Sequence, residues 1–130
     1  MTDFFSPAGI AAWHRRLLTS AQFHEAARGW TGSVLLVERT GTGSLPRATM
    51  IELRDGRLTV ARSAGDSDRE SAEFVLAASP DTWDALADGR EDLIPAAIGG
   101  KLKLERGNVL KLIPHARAAE AMLRGARRET

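Results

Sequence analysis

Gly99-Gly100-Lys101-Leu102-Lys103-Leu104-Glu105-Arg106-Gly107-Asn108 is the stretch on which the fold reading turns. Lys101, Lys103 and Glu105 alternate with Leu102 and Leu104, the period-two pattern of a strand with one wet face and one buried face. Two glycines close whatever precedes it. Gly107-Asn108 ends the strand, and Asn108 is placed to cap a final helix. In that helix Ala116, Ala119, Leu123 and Ala126 share one face, so it must fold back over the sheet to hide them. Pro114 either kinks the helix or begins its main portion after a turn at Val109 to Ile113.

Upstream, Ser79-Pro80-Asp81 reads as a cap, a proline at the first helical position and an acid at the positive end of the helix dipole. Trp83, Leu86 and Ala87 form the buried side of this helix, and Gly89 stops it. Asp92 to Ile98 is a second short helical piece, unusually apolar for a connector. Ala72 to Ser79 reads as a strand with Phe74 and Leu76 on one face. Ala64 to Glu70 is a polar loop. Ala48 to Arg54 and Arg57 to Ser63 are strands joined by Asp55-Gly56, a strong hairpin signal because both turn residues must take positive φ. Thr40 to Pro46 is a loop, and Ser33 to Arg39 a largely buried strand.

The front of the chain is helical. Ser6-Pro7 is a cap and first turn, with Ile10, Trp13 and Leu17 at helical spacing. Thr19-Ser20-Ala21-Gln22 looks like a capping box that restarts the helix. Phe23, Ala27 and Trp30 follow as its apolar line, and Gly29 fits a left-handed stop. Phe4-Phe5 must tuck against the body. The order α-β-β-β-β-α-β-α predicts one α+β domain over residues 1–130, with a five-stranded, mostly antiparallel sheet and helices on one face.

At 130 residues the chain can bury a full core without staples. It has no cysteine, so disulfides and thiolate chemistry are excluded. No apolar run reaches the length of a membrane span, and the N-terminus lacks a signal-peptide layout, so cytoplasm is the expected compartment. Charge is uneven although the net is only +1. Ala64 to Asp92 carries nine acids and two arginines, whereas Lys101 onward carries eight bases and three acids. Two readings follow: the halves face each other or are simply solvated, or a basic C-terminal face (Arg117, Arg124, Arg127, Arg128) touches an anionic membrane surface.

Sites of common chemistry are missing. His24-Glu25 begins like a zinc-protease motif, but Arg28 stands where the second histidine is needed. His14, His24 and His115 have no metal-ligand spacing. Asp66-Ser67-Asp68-Arg69-Glu70 imitates a calcium loop, but Ser71 replaces the required glycine and Ala77 the bidentate glutamate. Gly41-Thr42-Gly43-Ser44 joins two strands and has no lysine after it, so it is no phosphate cradle. With few aromatics and no dense basic stripe, nucleic acid is not an expected partner. No catalytic residue, metal or cofactor is assigned. What remains is a surplus of bulky apolar residues between Trp83 and Leu123, and pattern alone does not separate a filled core from a lined cavity.

The run from Ala72 to Asn108 resembles the sterol carrier protein 2 family. Gly89, Gly100, Leu102, Leu104, Gly107 and Asn108 match, in order, its pattern of short helix, apolar helical stretch and Gly-Lys-Leu-Lys-like strand. Phe23, Ala26-Ala27 and Gly29-Trp30 are similar to bacterial stand-alone members, and the likeness covers about Ile10 to Leu123. It implies a sandwich of a five-stranded mixed sheet and helices enclosing an apolar tunnel. It also implies non-catalytic binding or transfer of fatty acids, acyl-CoAs, phospholipids or isoprenoid lipids. Candidate lining residues are Met50, Phe74, Leu76, Trp83, Leu86, Ile94, Ile98, Leu110, Ile113, Met122 and Leu123. Two other readings stand beside it. One is a small cone-shaped isomerase or cyclase with an acid/base pair such as His14 with Asp84. The other is a partner-binding or dimer module with a vestigial cavity.

Overall fold

A computed structural model describes residues 4–41 and 46–125. Helix α1 (Pro7–Leu18) starts where predicted: the Ser6 hydroxyl accepts the Gly9 N–H at 3.1 Å, and Pro7 occupies the first turn. Helix α2 (Ala21–Ala26) starts differently. Its cap is Ser20, whose hydroxyl accepts from Phe23 N–H at 3.1 Å. With Ser20 as cap, the third helical residue is Phe23, which has no group to bond back. The reciprocal box expected from Thr19 and Gln22 is therefore replaced by a single cap bond.

The sheet has the order β3-β2-β1-β4-β5. Strand β1 (Gly32–Glu38) lies at its centre, antiparallel to β2 (Arg47–Arg54) and parallel to β4 (Phe74–Ala78). Strand β3 (Arg57–Ser63) pairs antiparallel with β2, and β5 (Leu102–Arg106) antiparallel with β4, which makes the sheet mixed with one parallel pair. The β2–β3 turn takes φ of 51° at Asp55 and 78° at Gly56, as an Asp-Gly hairpin requires. A Cβ on Gly56 would lie 2.6 Å from the Ala27 carbonyl oxygen, so glycine lets this turn press against the end of α2.

Strand alternation divides the core. Val34, Leu36, Ile51, Leu53, Phe74, Leu76 and Leu102 join the large cluster under the helices. Leu35, Val37, Met50, Val75 and Ala77 form a second cluster on the opposite face, closed over by Ala64 and Ala72. The segment expected to be a polar loop, Ala64 to Glu70, includes the start of a one-turn helix, α3 (Asp68–Ser71). Asp68 is buried, and it accepts from both terminal nitrogens of Arg62 at 2.6 and 3.0 Å and from Gly65 N–H at 2.7 Å. Arg62, ahead of the segment, is what allows a carboxylate there to leave water.

The C-terminal half builds α4 (Pro80–Asp88), α5 (Leu93–Ile98), β5, α6 (Val109–Leu112), a 3₁₀ turn (Ile113–His115) and α7 (Ala116–Arg124). Ser79 caps α4 through Thr82 N–H, and Gly89 closes it at φ 80°. Pro114 explains the break between α6 and α7, because it has no N–H to donate into a continuous helix. Helix α7 buries Ala118, Ala119, Met122 and Leu123, with Ala116 partly buried against the same cluster; Ala126 lies outside the described residues. The charge halves do meet: Lys101 pairs with Glu91, and Arg124 with Asp92.

The indoles lock the layers together. Trp13 Nε1 donates to the Met122 carbonyl at 2.7 Å, joining α1 to α7. Trp83 Nε1 donates to the Val37 carbonyl at 3.0 Å, joining α4 to β1. Both donors are buried, where an indole N–H needs a partner. Phe4 and Phe5 do tuck in: the ring of Phe4 lies 5.1 Å from that of Trp13 and 5.5 Å from that of Trp83.

Candidate functional site

The candidate site lies on the helical side of the sheet, where β4 and β5 meet α4, α5 and α7. Phe74 and Leu76 face it from β4 by strand alternation, and Leu102 and Leu104 face it from β5. Trp83 and Leu86 reach it from α4, Leu93 and Ile94 from α5, and Met122 and Leu123 from α7. The chain leaves β5 directly over one wall residue. Gly107 has φ 100°, and a Cβ there would lie 2.6 Å from Cδ1 of Phe74. Asn108 then caps α6, its side-chain oxygen accepting Leu110 N–H at 2.8 Å. On the following 3₁₀ turn, His115 stacks on Trp30 with ring centres 4.8 Å apart and planes 5° apart, which pins this end of the site to the base of β1.

Of the eleven lining candidates, Phe74, Leu76, Trp83, Leu86, Met122 and Leu123 come together as buried members of one cluster. Ile94 is partly buried against it. Met50 is buried in the other cluster, across the sheet. Ile98, Leu110 and Ile113 are 77%, 70% and 48% exposed, on the segments that flank β5. Leu93, Ala96, Leu102 and Leu112 belong to the same cluster but were not among the candidates. Leu102 was legible from the alternation of its strand. Leu112 was not: among Val109, Leu110, Leu112 and Ile113 a single turn gives no period that marks the inward residue.

Three surface clefts lie away from the β4–β5 wall. One of about 820 Å³ lies between α1–α2 and the β2–β3 hairpin, lined by Leu18, His24, Arg28 and Arg57 among others. One of about 440 Å³ lies between α2 and the start of α7, lined by Gln22, Glu25, Pro114, Arg117 and Arg124 among others. A third, of about 650 Å³, opens beside the start of β1. His14 and Asp84, the pair considered for acid/base chemistry, are half-buried on α1 and α4. Outside the apolar cluster, the hydrogen bonds from Arg62 and then Gly65 hold the Asp68 carboxyl below the usual carboxylate range. Among the described residues no group of three or more His, Cys, Asp or Glu side chains could hold a metal ion.

The molecule is an α+β sandwich with its main apolar core between helices and sheet. The SCP-2 sterol transfer family model matches residues 13–112, and the chain belongs to that family of lipid-binding and transfer domains. It is similar to a crystal structure of sterol carrier protein 2, with TM-score 0.83 and 28% identity over 98% of this chain and 100% of the other. It is also similar to the solution structure of a conserved hypothetical protein, possibly a sterol carrier protein, from Thermus thermophilus. There the TM-score is 0.81 and the identity 29%, over 98% of this chain and 90% of the other. A more distant likeness, showing the fold alone, is to the sterol carrier protein 2 of Aedes aegypti in complex with palmitate. Its TM-score is 0.55 and its identity 17%, over 92% of this chain and 98% of the other. Comparison with curated proteins returned no match.

Proposed function

We propose that this chain carries a single hydrophobic ligand, a fatty acid, acyl-CoA, phospholipid or isoprenoid lipid, in an apolar tunnel on the helical side of the sheet. Phe74, Leu76, Trp83, Leu86, Ile94, Met122 and Leu123 form its wall, and Ile98, Leu110 and Ile113 the outer part of the path. Met50 stays out of this wall, because its side chain belongs to the cluster across the sheet. The observation that carries the reading is the meeting of six candidates from three separate stretches of chain in one apolar cluster, within a chain of this family. The Aedes aegypti relative solved with palmitate lends support from a protein of the same fold.

The energetics suit a carrier. Each buried methylene contributes about 0.8 kcal/mol, so ten give roughly 8 kcal/mol. Immobilising the ligand costs at least ~4 kcal/mol, which leaves at most about 4 kcal/mol, a millimolar affinity for ten methylenes that tightens about fourfold with each further one. A lone methylene discriminates weakly, so the carrier accepts a range of chains. The reaction is transfer without bond making, and the compartment is the cytoplasm. No helix among the described residues is long and apolar enough to cross a membrane.

The test is organic extraction and native mass spectrometry of the purified protein, with titration of a fluorescent fatty acid read by energy transfer from the three tryptophans, Trp83 being the one in the proposed wall. Co-purifying lipid, or saturable probe binding that raises the melting temperature, is the expected result. A protein that holds no lipid, binds no probe and melts at an unchanged temperature has a filled interior, and the carrier reading falls.

A further inference from the structure

We infer that the segment Leu110–Arg117 is the surface through which this protein meets an anionic lipid bilayer. The inference rests on the carrier reading for its purpose but on separate observations for its evidence. Leu110 and Ile113 are 70% and 48% exposed, although Leu112 between them is fully buried. The short helix α6 and the 3₁₀ turn thus fix two aliphatic side chains outward on a braced piece of backbone. The brace is visible on both sides: Asn108 caps α6, Leu112 anchors it in the core, and His115 stacks on Trp30.

The charge around these two side chains is of one sign. From Arg106 to Ala119 the chain has Arg106, Lys111 and Arg117 and no acid. Arg106 donates to the carbonyl oxygens of Glu70 and Ala72, so no carboxylate neutralises it in those contacts. Lys111 and Arg117 are exposed and form no ion pair with any described residue. The acids facing this segment are Glu25 and Glu120, across the cleft shared with Pro114 and Arg117. Glu120 is already engaged by Leu93 N–H and Arg124. Further along, Arg124 is bound to Asp92 and Glu120, and Arg127 and Arg128 lie outside the described residues. Of the expected basic face, Arg117 is the described residue free of ion pairs, and Lys111 stands beside it. Outward aliphatics beside unpaired cations are what an interfacial element presents to anionic headgroups, the apolar groups entering the acyl boundary while the cations stay among phosphates.

The experiment is co-sedimentation with vesicles of phosphatidylcholine containing phosphatidylserine, and with phosphatidylcholine alone. The wild type should bind the anionic vesicles, and less at high salt. The double variant L110S/I113S and the charge reversal K111E/R117E should each lose about tenfold in partitioning. L18S changes a leucine whose exposure, 54%, lies between those of Ile113 and Leu110, at the end of α1, and should keep it. Probe binding in vesicle-free buffer separates this inference from the carrier reading. Vesicle binding without probe binding leaves the docking surface standing and removes the carrier. Probe binding without vesicle binding does the reverse. Equal losses in L18S and L110S/I113S overturn the assignment. So does a dimer in sedimentation velocity that L110S/I113S dissociates while vesicles stay unbound.

Discussion

Leu102 offers the sharpest test of the β5 register. It pairs with Ala78 across the ladder and is 1% exposed under the helices, whereas its neighbour Lys103 pairs with Ala77 and is exposed on the other face. Truncating a buried leucine to alanine costs about 2–5 kcal/mol, with the low end where the surroundings collapse into the space. In a domain of this size each kcal/mol lowers the melting temperature by about 3–5 °C, so Leu102→Ala should melt roughly 6–25 °C lower. Lys103→Ala, one residue away, should stay within about 0.5 kcal/mol of the wild type. Leu102→Asp should exceed the alanine loss, because it adds an unpaired buried charge. Urea denaturation read by tryptophan fluorescence, with the melting curve alongside, checks all three. Equal losses at residues 102 and 103, or a larger loss at 103, would refute the strand face and with it the wall drawn through β5. Recovery of the Leu102→Ala loss by a saturating fatty-acid probe is the signature of a lined space instead of a filled one.

Gly107→Ala should destabilise by about 2–4 kcal/mol in the same urea assay, since it combines a left-handed φ with a clash on the Phe74 ring. Ser20→Ala should cost about 1 kcal/mol by removing the cap of α2, while Thr19→Ala, outside the cap bond, should cost less. The Asp68–Arg62 pair predicts acid sensitivity. The carboxyl's folded pKa is lowered, so its contribution is present above the unfolded carboxylate range, about pH 4, and is lost as pH falls through the folded value. Stability of wild type and Asp68→Asn should therefore converge below pH 4, read by denaturation midpoints at stepped pH.

Much of the fold could be read from local chemistry. Ser6-Pro7, Ser79-Pro80, Asp55-Gly56 and Gly107-Asn108 are short-range signals whose physics is complete within a few residues, and each sits where expected. The two faces of β4 and β5 followed from alternation. What stayed hidden depended on distant partners. Asp68 looked like a solvated loop acid because Arg62, which buries it, marks no pattern with it in sequence. Met50 alternates correctly in its strand, but alternation does not say which face lies under the helices. Leu110 and Ile113 were indistinguishable from Leu112 until the brace from Trp30 and the Asn108 cap fixed the turn.

The bond from the Trp13 indole to the Met122 carbonyl spans 109 positions of chain. During synthesis the first helix emerges with its donor unanswered, and the acceptor follows 109 residues later. Contacts of such separation form late and slow the overall reaction. Assembly of the helical layer in this sense waits for α7: a nascent chain stalled before it has its strands and earlier helices in hand but not the latch on α1.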